Sequence, residues 1–465
     1  MTSILYISML CVQVHPPGHT PTCVCPRSHM TMSTSTDPNN SVEVIAQLKA
    51  WLQGHGVSLD HFGIHYYGPD QGHGVVAAKA FVQGEHTLDI PFRLTMNVHS
   101  ALSSDLAPLF ASEAGTLADV EILALHLMYE KHKGFASFWA PFIRSLPTTF
   151  DTPIFWNDDQ FAALQGTNVS LLAAMMKQQI VADYTSVHSP LFQKYPALFR
   201  TPSPTMQEYK WALSVIWSRA FGITRGGEYL QVLCPAMDMF NHDVLLNRPL
   251  DDFIVFNEQA QTLCHRLHVD CVANTPLNIC YGPYSNAKLL YSYGFVVPGN
   301  HRRGIDFWVN VPTNDRYYKL KKSLLDSNPL TAHQTYDFDG TLLGHTISER
   351  LLAMARIVLM QEDEIHARNN AFHQAMISRR NEIAVYDSLT IACRRKLQAF
   401  TTTLDEDVAQ LEASALSHQL TFALQVRIED KQVLEQSIAT LAKWKAYLLD
   451  HPTDSLVYPP RDCPV

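Results

Sequence analysis

The sequence predicts an α+β protein: a β-rich front part split by a block of helices, then an all-α C-terminal domain. Three observations predict it. Short apolar runs at 75–78, 88–90 and 253–256 are bracketed by Gly, Pro and Asn, the mark of strands joined by turns. Between them, 117–132 and 205–222 repeat their apolar residues at helical spacing. Beyond about residue 310, long helical patterns run over 348–380, 387–401 and 405–449.

The first helix is expected over 42–54, where Val42, Ile45, Leu48 and Leu52 share one face and Gly54 and Gly56 stop it. The glycine-rich 68–98 reads as strands and turns. In the helix over 117–132, Val120, Leu123, Leu127 and Met128 form a stripe with Glu121 opposite. Thr205 with Glu208 three residues on is a capping box opening the next helix. Gly222 closes it, which puts Ser218, Arg219, Ala220 and Phe221 at a helix end. Strand character returns in "FIVF" and "LHVDCV", and "LNICYG" follows the turn residues Asn274 and Pro276. In the last helical stretch Leu420, Leu424 and Ile428 are four apart, and Leu434, Ile438 and Leu441 resume the stripe.

Composition narrows the classes. The chain has 465 residues, room for two or three domains, with 46% hydrophobic and 17% charged residues. A net charge of −9 argues against non-specific nucleic-acid binding and is compatible with a basic peptide partner. Nine cysteines without a CxxC pair read as free thiols in a reducing compartment. The closest approach to a metal cluster is "CHRLHVDC". On a strand, Cys264 and His268 share a face and Cys271 lies on the other, so no metal site is expected. No apolar run reaches about 18 residues, so no membrane span is expected. Residues 1–40 are expected to form a disordered extension, because "ILYISMLCVQV" has neither a preceding basic residue nor a clear cleavage site. A signal sequence is the alternative.

The order of four short motifs then matters: "GHGVVAAKAFVQGE", "SRAF", "MDMFNHD" and "YGPYSNAKLLYSYGF". This succession resembles the SET-domain methyltransferases of the Rubisco large-subunit methyltransferase type. The likeness covers about residues 41 to 450. "SFWAPFIRSLPTTFDTPIFW" looks like the helical insert that splits the SET domain in this class. "FALQVRIEDKQVLEQSI" is similar to its C-terminal substrate-binding domain. The domains expected are 1–40 as the extension, 41–310 as the SET domain with its insert at about 115–230, and 311–455 as the helical substrate-binding domain. The sequence departs from the pattern in lacking Gly-Glu before "ICYG" and in carrying His73 where Arg or Phe is common.

The resemblance implies S-adenosylmethionine as cofactor and methyl transfer to a deprotonated lysine of a protein substrate. It implies Tyr281 as the catalytic residue. Cofactor contacts would come from Gln71, Gly72, His73, Arg219, Asp238, Met239, Phe240, Asn241, His242, Tyr293, Gly294 and Phe295. Among these, backbone groups of Gln71, Gly72 and His73 would line the methionine end, and Arg219 would meet the cofactor carboxylate. Phe221 and Ile279 would line the amine channel. Carbonyls of Ser218, Arg219 and Asp238, at a helix end and a strand end, would accept from the amine.

These parts suit the chemistry. Free lysine has a pKa near 10.4, so taking its proton at pH 7 costs about 4–5 kcal/mol. A neighbouring cation and an apolar channel lower that cost by disfavouring the ammonium. The related actin-histidine branch carries Asn in place of Phe221 and Trp in place of Met237, and its insert is similar to the one here. A Phe wall suits an aliphatic stem and an amide suits an imidazole, so lysine is favoured over histidine. A non-catalytic peptide-binding scaffold is the alternative from another class. The expected state is a monomer in the cytoplasm, with the nucleus as a second compartment and organelle targeting by residues 1–40 left open.

Overall fold

The structure, a computed structural model, describes residues 42–68, 71–199, 203–246, 248–307, 309–331, 341–342, 346–373, 375–413 and 416–451. The expected extension over 1–40 lies outside them. The described chain forms two compact units. One holds the residues up to Phe150 and Met175–Pro283; the other holds Asp151–Ala174 and everything from Tyr284 onward. The boundary expected at 310 therefore falls inside the second unit, which also takes a piece from the middle of the expected insert.

In the first unit, the helix Val42–Gly54 buries Ile45, Leu48 and Leu52. Val42, expected on that face, is exposed at the helix start, where the chain has not yet turned inward. Nine strands follow: β1 (Phe62–Tyr66), β2 (His73–Ala77), β3 (His86–Pro91), β4 (Ala220–Arg225), β5 (Glu228–Leu233), β6 (Asn241–His242), β7 (Ile254–Asn257), β8 (Thr262–Arg266) and β9 (Pro276–Ile279). One sheet has the order β1-β2-β9-β6 and another β3-β8-β7. β4 and β5 form a hairpin across Gly226 and Gly227, both at positive φ, which matches the twist of a two-residue turn.

Helices between β3 and β4 fill the place of the expected insert. Asp119–Lys133 buries an unbroken run from Leu123 to Met128, His126 included, so its middle is covered on every side. Glu121, expected on its solvent side, is buried because its carboxylate accepts the Ala118 N–H at 2.8 Å and caps the helix. Met206–Arg219 opens with the expected capping box between Thr205 and Glu208. It ends at Arg219, earlier than expected. Ala220, Phe221 and Gly222 belong to β4, where hairpin pairing with β5 replaces the helical ladder. "LHVDCV" is likewise not a strand: β8 ends at Arg266, and Cys271 only bridges back to Phe81.

The second unit is helical, as expected. Its described helices include Asn286–Tyr293, Glu349–Leu359, Arg379–Gln398, Leu404–Glu412 and the 33-residue His418–Asp450. Leu351, Leu352, Val385, Tyr386, Leu389, Val433, Leu434 and Leu441 make its core. The pattern over 348–380 is not one helix. Met360 turns to extended geometry, and a capping box between Gln361 and Glu364 restarts a 3-10 helix over Glu362–Phe372. The pattern over 405–449 breaks too, with Ser417 capping the long helix.

Candidate active site

β6 and β9 run parallel, with Asn241 opposite Asn278 and His242 opposite Ile279. Tyr281 follows β9 after Cys280, so the Asn-His pair and the tyrosine emerge side by side at one end of the sheet. The Tyr281 N–H donates to His242 Nδ1 at 3.1 Å, and the two rings lie 5.1 Å apart at 29°. The Tyr281 hydroxyl donates to the Phe240 carbonyl at 2.9 Å. One tyrosine is thus pinned from backbone and side chain to two residues of "FNH", Phe240 and His242.

Protonation follows from this geometry. Burial lowers the His242 pKa to about 4, so the ring is neutral at pH 7. Its Nδ1 accepts a hydrogen bond, which places the single ring proton on Nε2. Burial pushes the Tyr281 phenol up to about 12, with the Arg219 cation opposing and Asp238 adding to the rise. Tyr281 therefore stays a phenol at neutral pH, its proton committed to the Phe240 carbonyl.

Gly74 on β2 makes room for this corner. A Cβ there would lie 2.7 Å from the Asn241 amide nitrogen and 2.7 Å from the Tyr67 ring. Gly72 has a different duty: at φ +63 it turns the chain into β2. Its N–H donates to Gly68 and its carbonyl accepts from Tyr67, so both peptide groups expected to face a cofactor are engaged inside the turn. Gln71 is exposed, and the His73 ring tilts against Tyr66 at 5.3 Å.

Asp238 lies in a 3-10 turn, Met237–Met239, rather than at a strand end. Ala236 before it adopts left-handed geometry (φ 63), a strained state for a residue with a Cβ. Met237, Met239 and Phe240 are buried, which anchors the turn. Arg219 Nη1 donates to Asp238 Oδ2 at 2.9 Å and to the Asp238 carbonyl at 3.0 Å. The carboxylate is 1% exposed. Burial raises the Asp238 pKa, and Arg219 offsets part of the rise. Backbone N–H groups of Ala236 and Asp238 also favour the charged carboxylate, and no side chain among the described residues bonds to its second oxygen, Oδ1. Arg219 is thus not free for a cofactor carboxylate: it is drawn back onto the 3-10 turn. The Asp238 carbonyl, expected as an amine acceptor, already serves the guanidinium.

Phe221 is buried on β4, and Ile279 is fully buried on β9. Ser218 sits in the last turn of Met206–Arg219, its hydroxyl donating to the Ser214 carbonyl at 2.6 Å. Tyr293, Gly294 and Phe295 fold with the second unit. There Gly294 ends the helix Asn286–Tyr293 at φ 82 and packs so closely on Asp151 and Thr152 that a Cβ would meet Thr152 N at 2.9 Å. A local structural duty explains that glycine. A cavity of about 450 Å³ in the first unit is lined by Thr95, Asn97, His99, Lys133 and Trp139 among others, and by none of the corner residues.

Sequence reasoning missed three parts. Tyr67 follows a strand without any motif. Asp238 is expected as a cofactor contact and for its carbonyl, not as the partner of Arg219, although an Asp flanked by Met237 and Met239 could have flagged a buried carboxylate seeking a cation. Asn286, in the quoted "YSNAK", is fully buried. It donates to the Val297 carbonyl (2.9 Å) and to Glu429 (2.7 Å) and accepts the Val297 N–H (2.8 Å), so it orders the second unit.

Comparison with known proteins adds to this geometry. Residues 312–434 match the family model described as Rubisco LSMT substrate-binding. An actin-histidine N-methyltransferase of Xenopus tropicalis is 28% identical over 412 residues, covering 84% of this chain and 69% of its own length. The chloroplastic [fructose-bisphosphate aldolase]-lysine N-methyltransferase of Arabidopsis thaliana is 25% identical, covering 88% and 86%. The solved SET domain of LSMT bound to lysine and AdoHcy superposes with a TM-score of 0.74 at 22% identity, over 88% of this chain and 93% of that one. Rubisco LSMT bound to AdoMet gives a TM-score of 0.72 at 22% identity, over 90% and 94%. These structures establish the fold.

Proposed function

We propose that this chain, which has the fold of the LSMT SET-domain proteins and carries a Rubisco LSMT substrate-binding domain, is an S-adenosylmethionine-dependent protein N-methyltransferase that acts on lysine. One observation carries the reading: protonated Tyr281 is locked to neutral His242 and to the Phe240 carbonyl at the end of β6 and β9, with Asn241 next to His242 on β6.

The residues present fit the cofactor. Its amino-acid end is a zwitterion. The Arg219 guanidinium suits the carboxylate, and Asp238 Oδ1, to which no described side chain bonds, suits the ammonium. In this assignment the Arg219–Asp238 pair opens to admit that end. Asn241 and His242 would hold the cofactor beside them. When bound, the cofactor supplies a sulfonium methyl, a strong electrophile.

This chain's residues then bind, orient and exclude water. Phe221 and Ile279 give the amine an apolar approach that disfavours its ammonium form. The phenol of Tyr281, held by the Phe240 carbonyl, directs its oxygen lone pairs toward the incoming nitrogen. Alignment of this kind supplies much of the barrier reduction when a good electrophile is already in place.

Relatives act on both histidine and lysine, so the choice rests on the wall. Buried Phe221 offers no hydrogen bond to an imidazole and suits an aliphatic stem. We expect Phe221→Asn to raise the histidine-to-lysine rate ratio by about tenfold, one good hydrogen bond's worth; an unchanged ratio sinks the lysine assignment. Calorimetry with S-adenosylmethionine separates enzyme from scaffold: binding in a single site supports the enzyme, and no heat favours a peptide-binding scaffold. A protein substrate, a monomeric state and no nucleic-acid partner complete the proposal. Among the described residues no helix is long and apolar enough to cross a membrane.

A further inference from the structure

The "CHRLHVDC" segment does not converge in the fold. His265 points into the core, where its ring stacks on Phe240 at 4.0 Å and its Nδ1 meets the Thr87 hydroxyl at 2.7 Å. His268 Nε2 bonds to the Asp252 carbonyl at 2.8 Å, and Cys271 pairs through its backbone with Phe81. Cys264 is left, and it has other neighbours. Asp89 lies directly opposite it in the antiparallel β3–β8 ladder, so the two side chains share a face. His86 is three residues before Asp89 and in a regular strand would point the other way. A register irregularity between His86 and Leu88 shifts it by one residue onto the same face. His86 Nδ1 then comes within 3.4 Å of Asp89 Oδ1. One donor atom from each of His86, Asp89 and Cys264 lies within 4.8 Å of the others.

We infer that this face of the β3–β8 ladder is a zinc-type divalent cation site, with His86, Asp89 and Cys264 as ligands and water in the remaining position. The donor set is one imidazole, one carboxylate and one thiol, all accepted by zinc. Tetrahedral zinc holds its ligand atoms roughly 3.3–3.7 Å apart, given bond lengths of about 2.0–2.3 Å. The three donors reach that spacing by small side-chain adjustments, and the two strands need not move. Charge balances as well. The thiol gives up its proton to solvent as the sulfur–metal bond forms, and thiolate plus carboxylate then neutralise the ion. His86 and Asp89 have side chains 44% and 52% exposed, so an ion can enter from solvent and retain water. Cys264 is buried beneath them, its sulfur 3.2 Å from the Thr262 hydroxyl. Arg266, opposite His86, is the cation such an ion would have to tolerate, and its exposure lets it turn outward.

The inference is independent of methyl transfer and is tested without it. The full chain, stripped with a chelator, is titrated with Co²⁺ and then with Zn²⁺. One equivalent of cobalt should produce a thiolate-to-metal charge-transfer band that zinc abolishes, and zinc should raise the thermal midpoint. Cys264→Ser should remove the band, and both Cys264→Ser and His86→Ala should weaken zinc binding by about tenfold or more. Cys271→Ser should leave both unchanged. Absence of a band at stoichiometric cobalt overturns the inference, as does a band that persists in Cys264→Ser. Zinc affinity unchanged in His86→Ala overturns it too. His86 is an exposed strand residue, so its variant remains folded and readable.

Discussion

The two units handle buried polarity in opposite ways. The first keeps its buried ring nitrogens neutral. Burial lowers the pKa values of His126 and His242 to about 4 and of His188 and His265 to about 3. The second buries charge and pairs it. Arg356 and Glu382, both 0% exposed, form two 2.7 Å bonds, and Asp407 takes both Arg427 and Lys431. At the Asn-His corner the neutral ring of His242 adds no charge, and the buried Asp238 near it is paired with Arg219. A helical unit gains register from charges that tolerate only one partner.

The sharpest way to break the contrast is to unpair the second unit. Arg356→Met leaves Glu382 buried alone and should cost about 3–5 kcal/mol, read as lost hydrogen-exchange protection in the helices Glu349–Leu359 and Arg379–Gln398. Arg356→Met combined with Glu382→Leu should recover most of that. A loss spread equally over the first unit would contradict a local pairing role.

pH should act with opposite sign on the two units. The histidines have folded pKa values below the unfolded value of about 6.5, so the unfolded chain takes up protons first as pH falls. The histidines' contribution to the first unit is complete above about 6.5 and declines through pH 5, by roughly 1–2 kcal/mol per imidazole. In the second unit, burial raises Glu429 and Asp430 to about 7, so their contribution is present at low pH and is lost as pH rises through 7. Asp430→Asn should therefore stabilise the second unit at pH 8, with a gain that shrinks toward pH 4. Chemical unfolding at pH 5, 7 and 8, followed unit by unit through hydrogen exchange, reads both slopes. Parallel slopes would refute the contrast.

Two smaller effects address the corner alone. Gly74→Ala drives a methyl into Asn241 and Tyr67 and should cost about 1–3 kcal/mol, with weaker S-adenosylmethionine binding in calorimetry. Unchanged affinity would mean that Gly74 serves only the packing of β2 against Tyr67 and Asn241. Tyr281→Phe removes one hydrogen bond to a carbonyl and should cost about 1 kcal/mol or less in stability.

How much of this was legible in the sequence follows the same division. The corner was readable because its residues sit in short, ordered motifs: Tyr281 and His242 are both in them and touch, and Asn241 precedes His242 on β6. The helical character of the second unit was readable from its stripes. What stayed hidden depends on contacts between distant residues. Nothing near Asp238 in the chain announces Arg219 as its partner, and nothing in "CHRLHVDC" announces His86 and Asp89 across the ladder. Where Met206–Arg219 stops was missed because pairing with β5 decides it, and that pairing is not local.

The most direct test of lysine methylation by the corner is transfer of labelled methyl from S-adenosylmethionine into a cell extract, with the modified residue mapped, for the native chain and for Tyr281→Phe. Label on lysine is predicted, with about 10²-fold slower transfer in Tyr281→Phe at unchanged cofactor affinity. Label on histidine, no label, or a Tyr281→Phe variant as fast as the native chain would contradict it.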